Sequence, residues 1–180
     1  AEQAAHVAQR RGKPKKTDPA TPRHKKTIAA LDPDTGEMRW KWSDPSAGEL
    51  MPLTLAAAAR RVFFQAGQGL VCLSLDNGRE LWRSDKANGA RAKPRQPGWS
   101  VATLVARDDS VLWADGRQLR VFASGDGKLL WSCSCRPGFK SPVDLFVVGG
   151  LVWFGPGFTE GRDLKTGEVK KRSSVSADLQ

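Results

Sequence analysis

Two cysteines two residues apart, Cys133 and Cys135 in Trp131-Ser132-Cys133-Ser134-Cys135, are the densest reactive pairing in the chain. On a strand, side chains at i and i+2 share a face, so the two thiols could close a strained disulfide or hold a soft metal. The simpler reading is two small strand residues, because free cysteine behaves as a small buried hydrophobe. Cys72 reads as structural. Asp32-Pro33-Asp34-Thr35-Gly36-Glu37 opens with calcium-loop spacing, but Gly36 takes the third ligand position and no Glu stands at the twelfth. It reads as a turn, with Asp side chains fixing the backbone. His6 and His24 both lie in the first 26 residues, so the remainder has no histidine for a nucleophile triad or a histidine zinc site. Asp108, Asp109, Asp115 and Asp144 are carboxylates near strand ends. No catalytic residue and no metal set is identified among them.

The elements that would position these groups are set by a repeat. Four eleven-residue segments align on a glycine: ALDPDTGEMRW (Ala30 to Trp40), CLSLDNGRELW (Cys72 to Trp82), VFASGDGKLLW (Val121 to Trp131) and GRDLKTGEVKK (Gly161 to Lys171). The glycines Gly36, Gly78, Gly127 and Gly167 are 42, 49 and 40 residues apart, and Trp40, Trp82 and Trp131 each follow four positions later. Each glycine sits in a turn sequence where a positive φ reverses the chain between antiparallel strands. Apolar runs such as Arg61 to Gln65, Ser110 to Ala114 and Leu151 to Phe154 supply further strands near the later turns. Four short strands per unit of this length predicts an all-β chain of about four four-stranded propeller blades. A single blade cannot bury both faces, so the tryptophans are predicted to wedge between neighbours.

The segments resemble the tryptophan-docking motif of quinoprotein-like propellers, Ala-x-Asp-x-x-Thr-Gly-Lys-x-x-Trp. The first copy matches at Ala30, Asp32, Thr35, Gly36 and Trp40, with Glu37 in place of Lys. Ser74 and Ala123 replace the Asp, Asn77 and Asp126 replace the Thr, and the fourth copy keeps Asp163, Thr166 and Gly167 but ends in Lys171. The resemblance implies that Trp40, Trp82 and Trp131, with Gly36, Gly78, Gly127 and Gly167, form the docking structure of repeats spanning residues 27–171. It further implies an extracytoplasmic bacterial setting and more blades than this chain holds, mainly beyond Gln180. Such repeats serve both quinone-dependent dehydrogenases, which use pyrroloquinoline quinone (PQQ) and calcium, and a non-catalytic outer-membrane assembly scaffold. The scaffold, working through a protein partner or the remaining blades, is the reading preferred here, and PQQ and calcium enter by resemblance alone.

Composition agrees with a β protein: seven Trp, seven Phe, 18 Gly and 11 Pro favour short strands punctuated by turns. The net charge of +10 is uneven, since residues 1–26 hold eight basic side chains against Glu2 and Asp18. That segment, rich in Lys, Arg, Pro and Ala, is expected to be a disordered linker. Its charges have no interleaved aromatics to stack on bases, so nucleic-acid binding is a weaker reading. The loop from Ser84 to Ser100 adds Lys86, Arg91, Lys93 and Arg95, a cationic rim or a tolerated insertion. Residues 172–180 begin a further segment or a tail. No run approaches the roughly 20 apolar residues of a membrane span.

Overall fold

Strands β4 (Arg61–Ala66) and β5 (Gly69–Ser74) show why these residues stack sheets. In Arg61-Val62-Phe63-Phe64-Gln65-Ala66, successive side chains alternate between two separate cores: Val62, Phe64 and Ala66 enter one, and Phe63 enters another. Gly69 to Ser74 does the same, with Val71 and Leu73 on one side and Leu70 and Cys72 on the other. A strand buried on both faces must be apolar at nearly every position, which is the composition seen here.

The computed structural model describes residues 26–43, 50–67, 69–84, 102–138 and 141–172. Among them the chain forms fourteen strands and no helix. β1 (Ile28–Leu31) and β2 (Met38–Trp42) make a two-stranded sheet. The second sheet holds β3 (Leu50–Ala58), β4 (Arg61–Ala66), β5 (Gly69–Ser74) and β6 (Glu80–Arg83). The third holds β7 (Thr103–Ala106), β8 (Ser110–Ala114), β9 (Gln118–Ala123) and β10 (Leu129–Ser134). The fourth holds β11 (Leu145–Val148), β12 (Leu151–Phe154), β13 (Glu160–Asp163) and β14 (Val169–Arg172). Every strand pairs antiparallel with the next in its sheet, and the leading strands lie side by side, β3 against β7 and β7 against β11. This is the all-β propeller arrangement.

Three cores fill the spaces between the four sheets. Ile28, Trp40 and Trp42 meet Phe64, Val71 and Leu73 between the first and second, with Trp42 set edge-on to Phe64 at 4.9 Å. Phe63, Leu70 and Cys72 meet Val111, Trp113 and Phe122 between the second and third. Leu112, Leu119 and Val121 meet Val143, Val152 and Leu164 between the third and fourth. The sheets are therefore held face to face, not edge to edge.

The blade count is refined in one respect. Three sheets have four strands, whereas the first has two among the described residues. Residues 1–25 and 173–180, and with them nearly all of the predicted linker and the closing segment, lie outside the described residues, as does most of the Ser84 to Ser100 loop.

One distortion is visible on β3. Its register with β4 jumps between Met51 and Ala56, and the intervening stretch arches away so that Leu53 is 80% exposed. Pro52 has no N–H to give to a ladder. Thr54 repairs the gap: its hydroxyl accepts the Gln65 N–H at 2.9 Å and donates to the Met51 carbonyl at 2.7 Å.

Phe64→Ala should cost about 3–5 kcal/mol of stability, because it opens a cavity in a core shared by two sheets. Leu53→Ala should stay within about 0.5 kcal/mol. Urea unfolding followed by tryptophan fluorescence distinguishes these outcomes.

Candidate functional site

The feature repeated through the molecule is a contact between an indole on one sheet and a turn on the next. The turns come first, because their geometry creates the seat. In all four, the glycine N–H bonds to the carbonyl four residues earlier: Gly36 to Asp32, Gly78 to Ser74, Gly127 to Ala123 and Gly167 to Asp163, at 2.9–3.0 Å. The glycines have φ of 70–75°, a conformation that costs an L-residue roughly 1–2 kcal/mol.

The residue just before each glycine differs in type but performs one task. Thr35, Asn77, Asp126 and Thr166 each use a side-chain oxygen to accept the backbone N–H two residues on, at 3.0–3.3 Å. Any short side chain with an oxygen can do this, which explains the sequence drift at that position. Four residues before the glycine, Asp32 and Asp163 each accept two backbone N–H groups, from Asp34 and Thr35 and from Lys165 and Thr166. Those bonds hold the Asp163 carboxyl below its ordinary value, while a bond from Arg39 together with the two N–H groups brings Asp32 down to about 2.

Trp40, Trp82 and Trp131 lie on the turn glycines of the following sheets. A Cβ added at Gly78, Gly127 or Gly167 would stand 2.6 Å from the respective indole, closer than any side chain tolerates. Each indole N–H donates to the carbonyl three residues before the glycine: Trp40 to Leu75 at 2.7 Å, Trp82 to Ser124 at 2.9 Å and Trp131 to Leu164 at 2.8 Å. In the fourth copy Lys171 stands where Trp stands in the others. Among the described residues nothing lies within 4 Å of a Cβ added at Gly36.

The remaining candidates are dispersed. Asp108 and Asp109 precede β8 and Asp115 follows it, so about 16 Å of strand separates the two groups. Asp109 accepts the Ser110 hydroxyl, and the Asp108 carbonyl accepts that of Ser124. Asp144 stands before β11, where its carbonyl accepts the Gly155 N–H. Among the described residues no three His, Cys, Asp or Glu side chains gather to hold a metal ion. The described carboxylates therefore do not assemble the donor set that calcium would need.

Cys133 and Cys135 join the core between the third and fourth sheets, and all three cysteines are free thiols. Burial pushes the Cys135 and Cys72 thiols up to about 12 and also raises Cys133. A thiol held in its protonated form is a poor nucleophile and a poor metal ligand.

The buried ion pair went unrecognised in the sequence. Arg120 on β9 bonds to Asp115 at 2.8 Å, with only 5% and 9% of their side chains exposed, and its guanidinium lies over the Trp113 ring at 5.3 Å. Gln118 accepts a second bond from Arg120. Burial pushes the Asp115 carboxyl up, but bonds from Arg120, Gln118 and Arg117 outweigh it and leave the group below its ordinary value. The available signal was the i, i+2 pairing of Gln118 and Arg120 on one strand face two residues after an Asp-Gly turn. A charged residue within an otherwise apolar strand gave no hint of its partner.

The model of the outer membrane protein assembly factor BamB family matches residues 24–180. The chain belongs to this family. No curated protein matches this chain. Among solved structures, BamB from Moraxella catarrhalis superposes with a TM-score of 0.55 at 17% identity, covering 79% of this chain and 45% of that one. A europium-containing methanol dehydrogenase gives 0.54 at 12% identity, covering 79% and 37%. The quinohemoprotein alcohol dehydrogenase from Comamonas testosteroni gives 0.53 at 13% identity, covering 82% and 32%. These likenesses concern the propeller fold, and this BamB-family chain spans less than half the length of each.

Two outcomes follow for variants. Gly127→Ala should destabilise by clearly more than Gly36→Ala, since both bear the backbone cost of about 1 kcal/mol but only the former meets an indole; parallel urea titrations compare them. Asp115 is depressed in the folded state, so its contribution is complete above its ordinary value of 3.8 and is lost as pH falls through the lowered folded value. Asp115→Asn should weaken the fold at neutral pH and flatten the loss of stability as pH falls below 3.8, as read by acid titration of circular dichroism.

Proposed function

We propose that the chain is a non-catalytic stretch of propeller repeats, acting as a rigid binding or assembly scaffold for a protein partner within a larger extracytoplasmic protein. The observation that carries this reading is the use made of its polar groups. Asp32, Asp115 and Asp163 are tied to turn backbone and arginine, the Cys72 and Cys135 thiols are buried and the half-buried Cys133 joins the same core as Cys135, and the conspicuous aromatics join sheet to sheet. Docking by Trp40, Trp82 and Trp131 on Gly78, Gly127 and Gly167 is the proposed source of the rigidity. Membership of a family described by an assembly factor supports the same reading. No helix among the described residues is long and apolar enough to cross a membrane.

A second reading is a portion of a PQQ- and calcium-dependent dehydrogenase, favoured by the likeness to two dehydrogenases. Fold alone does not select between them. Isothermal titration of the full-length parent protein with PQQ and calcium, followed by dye reduction on simple alcohols and sugars, separates the two. The scaffold reading expects no saturable heat and no reduction. Saturable PQQ binding with dye reduction would replace it with the dehydrogenase.

A further inference from the structure

Two buried polar atoms between the second and third sheets make no hydrogen bond among the described residues: the Trp113 indole N–H on β8 and the Gln65 side-chain oxygen on β4. One is a donor and the other an acceptor, so each is what the other lacks. Trp113 is 1% exposed and belongs to the core it shares with Phe63, Leu70, Cys72, Val111 and Phe122. Gln65 faces that same core, because it stands two residues from Phe63 and directly opposite Leu70 in the β4–β5 ladder. Its carboxamide is oriented by a bond from Nε2 to the Gly67 carbonyl at 3.1 Å, which leaves Oε1 as the acceptor without a donor. The Trp113 ring lies under the Arg120 guanidinium at 5.3 Å, and Arg120 is fixed in turn by Asp115 and Gln118.

Both atoms belong to the same end of that core. The contacts of Trp40 with Gly78 and of Trp82 with Gly127 repeat from sheet to sheet, so β4 and β8 run alike. Gln65 stands near the end of β4, ahead of the turn into β5, and Trp113 near the end of β8, ahead of the turn into β9. A buried donor or acceptor left unpaired is costly, and internal waters settle where such groups converge. We propose that one buried water bridges the two side chains, accepting the Trp113 indole N–H and donating to Gln65 Oε1. Water suits the pair because it both accepts and donates, whereas a cation would satisfy only the oxygen and an anion only the N–H. The Trp82 indole is bonded to Ser124 at the turn between β9 and β10, at the opposite end of the same interface. The second and third sheets are then tied at both ends, by an indole at one and by a hydrated polar contact at the other. This assignment does not depend on whether a quinone or a protein partner binds.

The test is a water-selective cross-relaxation NMR experiment on the whole chain labelled with nitrogen-15 tryptophan. The Trp113 indole proton should show a cross-peak to water with the sign of a long-lived bound molecule. The indole protons of Trp40, Trp82 and Trp131 are bonded to backbone carbonyls, so they serve as references that should show none. Gln65→Met removes the acceptor while keeping the length of the side chain, and should reduce the Trp113 cross-peak to the level of the references. Arg120 stays in place in that variant, so a peak relayed through its exchanging protons would persist. No cross-peak at Trp113, or one undiminished in folded Gln65→Met, overturns the proposal.

Crystallography of the unaltered chain gives an independent reading that no folding defect can obscure. The proposal expects a water within about 3.2 Å of both Trp113 Nε1 and Gln65 Oε1. A direct bond between the two side chains, or a water that touches only one of them, overturns it.

Discussion

An indole laid on a glycine in the left-handed region, with its N–H given to a carbonyl three residues earlier, is the constraint on which the remaining structure depends. The seat requires glycine twice over, for its φ and for the missing Cβ. It also requires the turn before the glycine to be rigid, which the Asp, Thr, Asn and Ser side chains achieve through short bonds to their own backbone. Once the seat exists, a tryptophan from the neighbouring sheet buries a large apolar surface and satisfies its one donor in the same place. Each joint therefore fixes both the separation and the rotation of two sheets that share no ladder hydrogen bonds.

The cores between the sheets supply bulk cohesion, and the joints supply registration. Alternation along β4, β5, β8 and β9 sends every second side chain into a different core, so no sheet is stable without its neighbours. The Arg120–Asp115 pair works differently. Two charges withdrawn from water gain little net stability, yet their bonds to Gln118 and to the turn after β8 leave Arg120 a single position over Trp113. Burial in this molecule is thus used for geometry as well as for free energy.

The sequence carried the repeat because the joints demand rare residues at fixed spacing: glycine at the turn and tryptophan four residues later. Residues such as Val62, Phe63 and Phe64 announced strands buried on both faces. The two-stranded first sheet was less legible, because Ala30 to Trp40 contains a complete turn motif whether or not two more strands accompany it. The arch of β3 around Thr54 and the Arg120–Asp115 pair were not legible either, since both depend on which residues face each other across strands. Chemistry was hardest to read, because the carboxylates near strand ends, Asp108, Asp115 and Asp144, have types compatible with catalysis and neighbours that assign them to turns.

The most direct test of the central claim is native-state hydrogen exchange at the indole N–H groups of Trp40, Trp82 and Trp131. If the joints register the sheets, these three protons exchange as slowly as the amides of β4, β5, β8 and β9, through opening of whole sheets. Exchange at the rate of freely solvated indoles, while those strand amides stay protected, would show that the sheets hold together without the joints and would contradict the account.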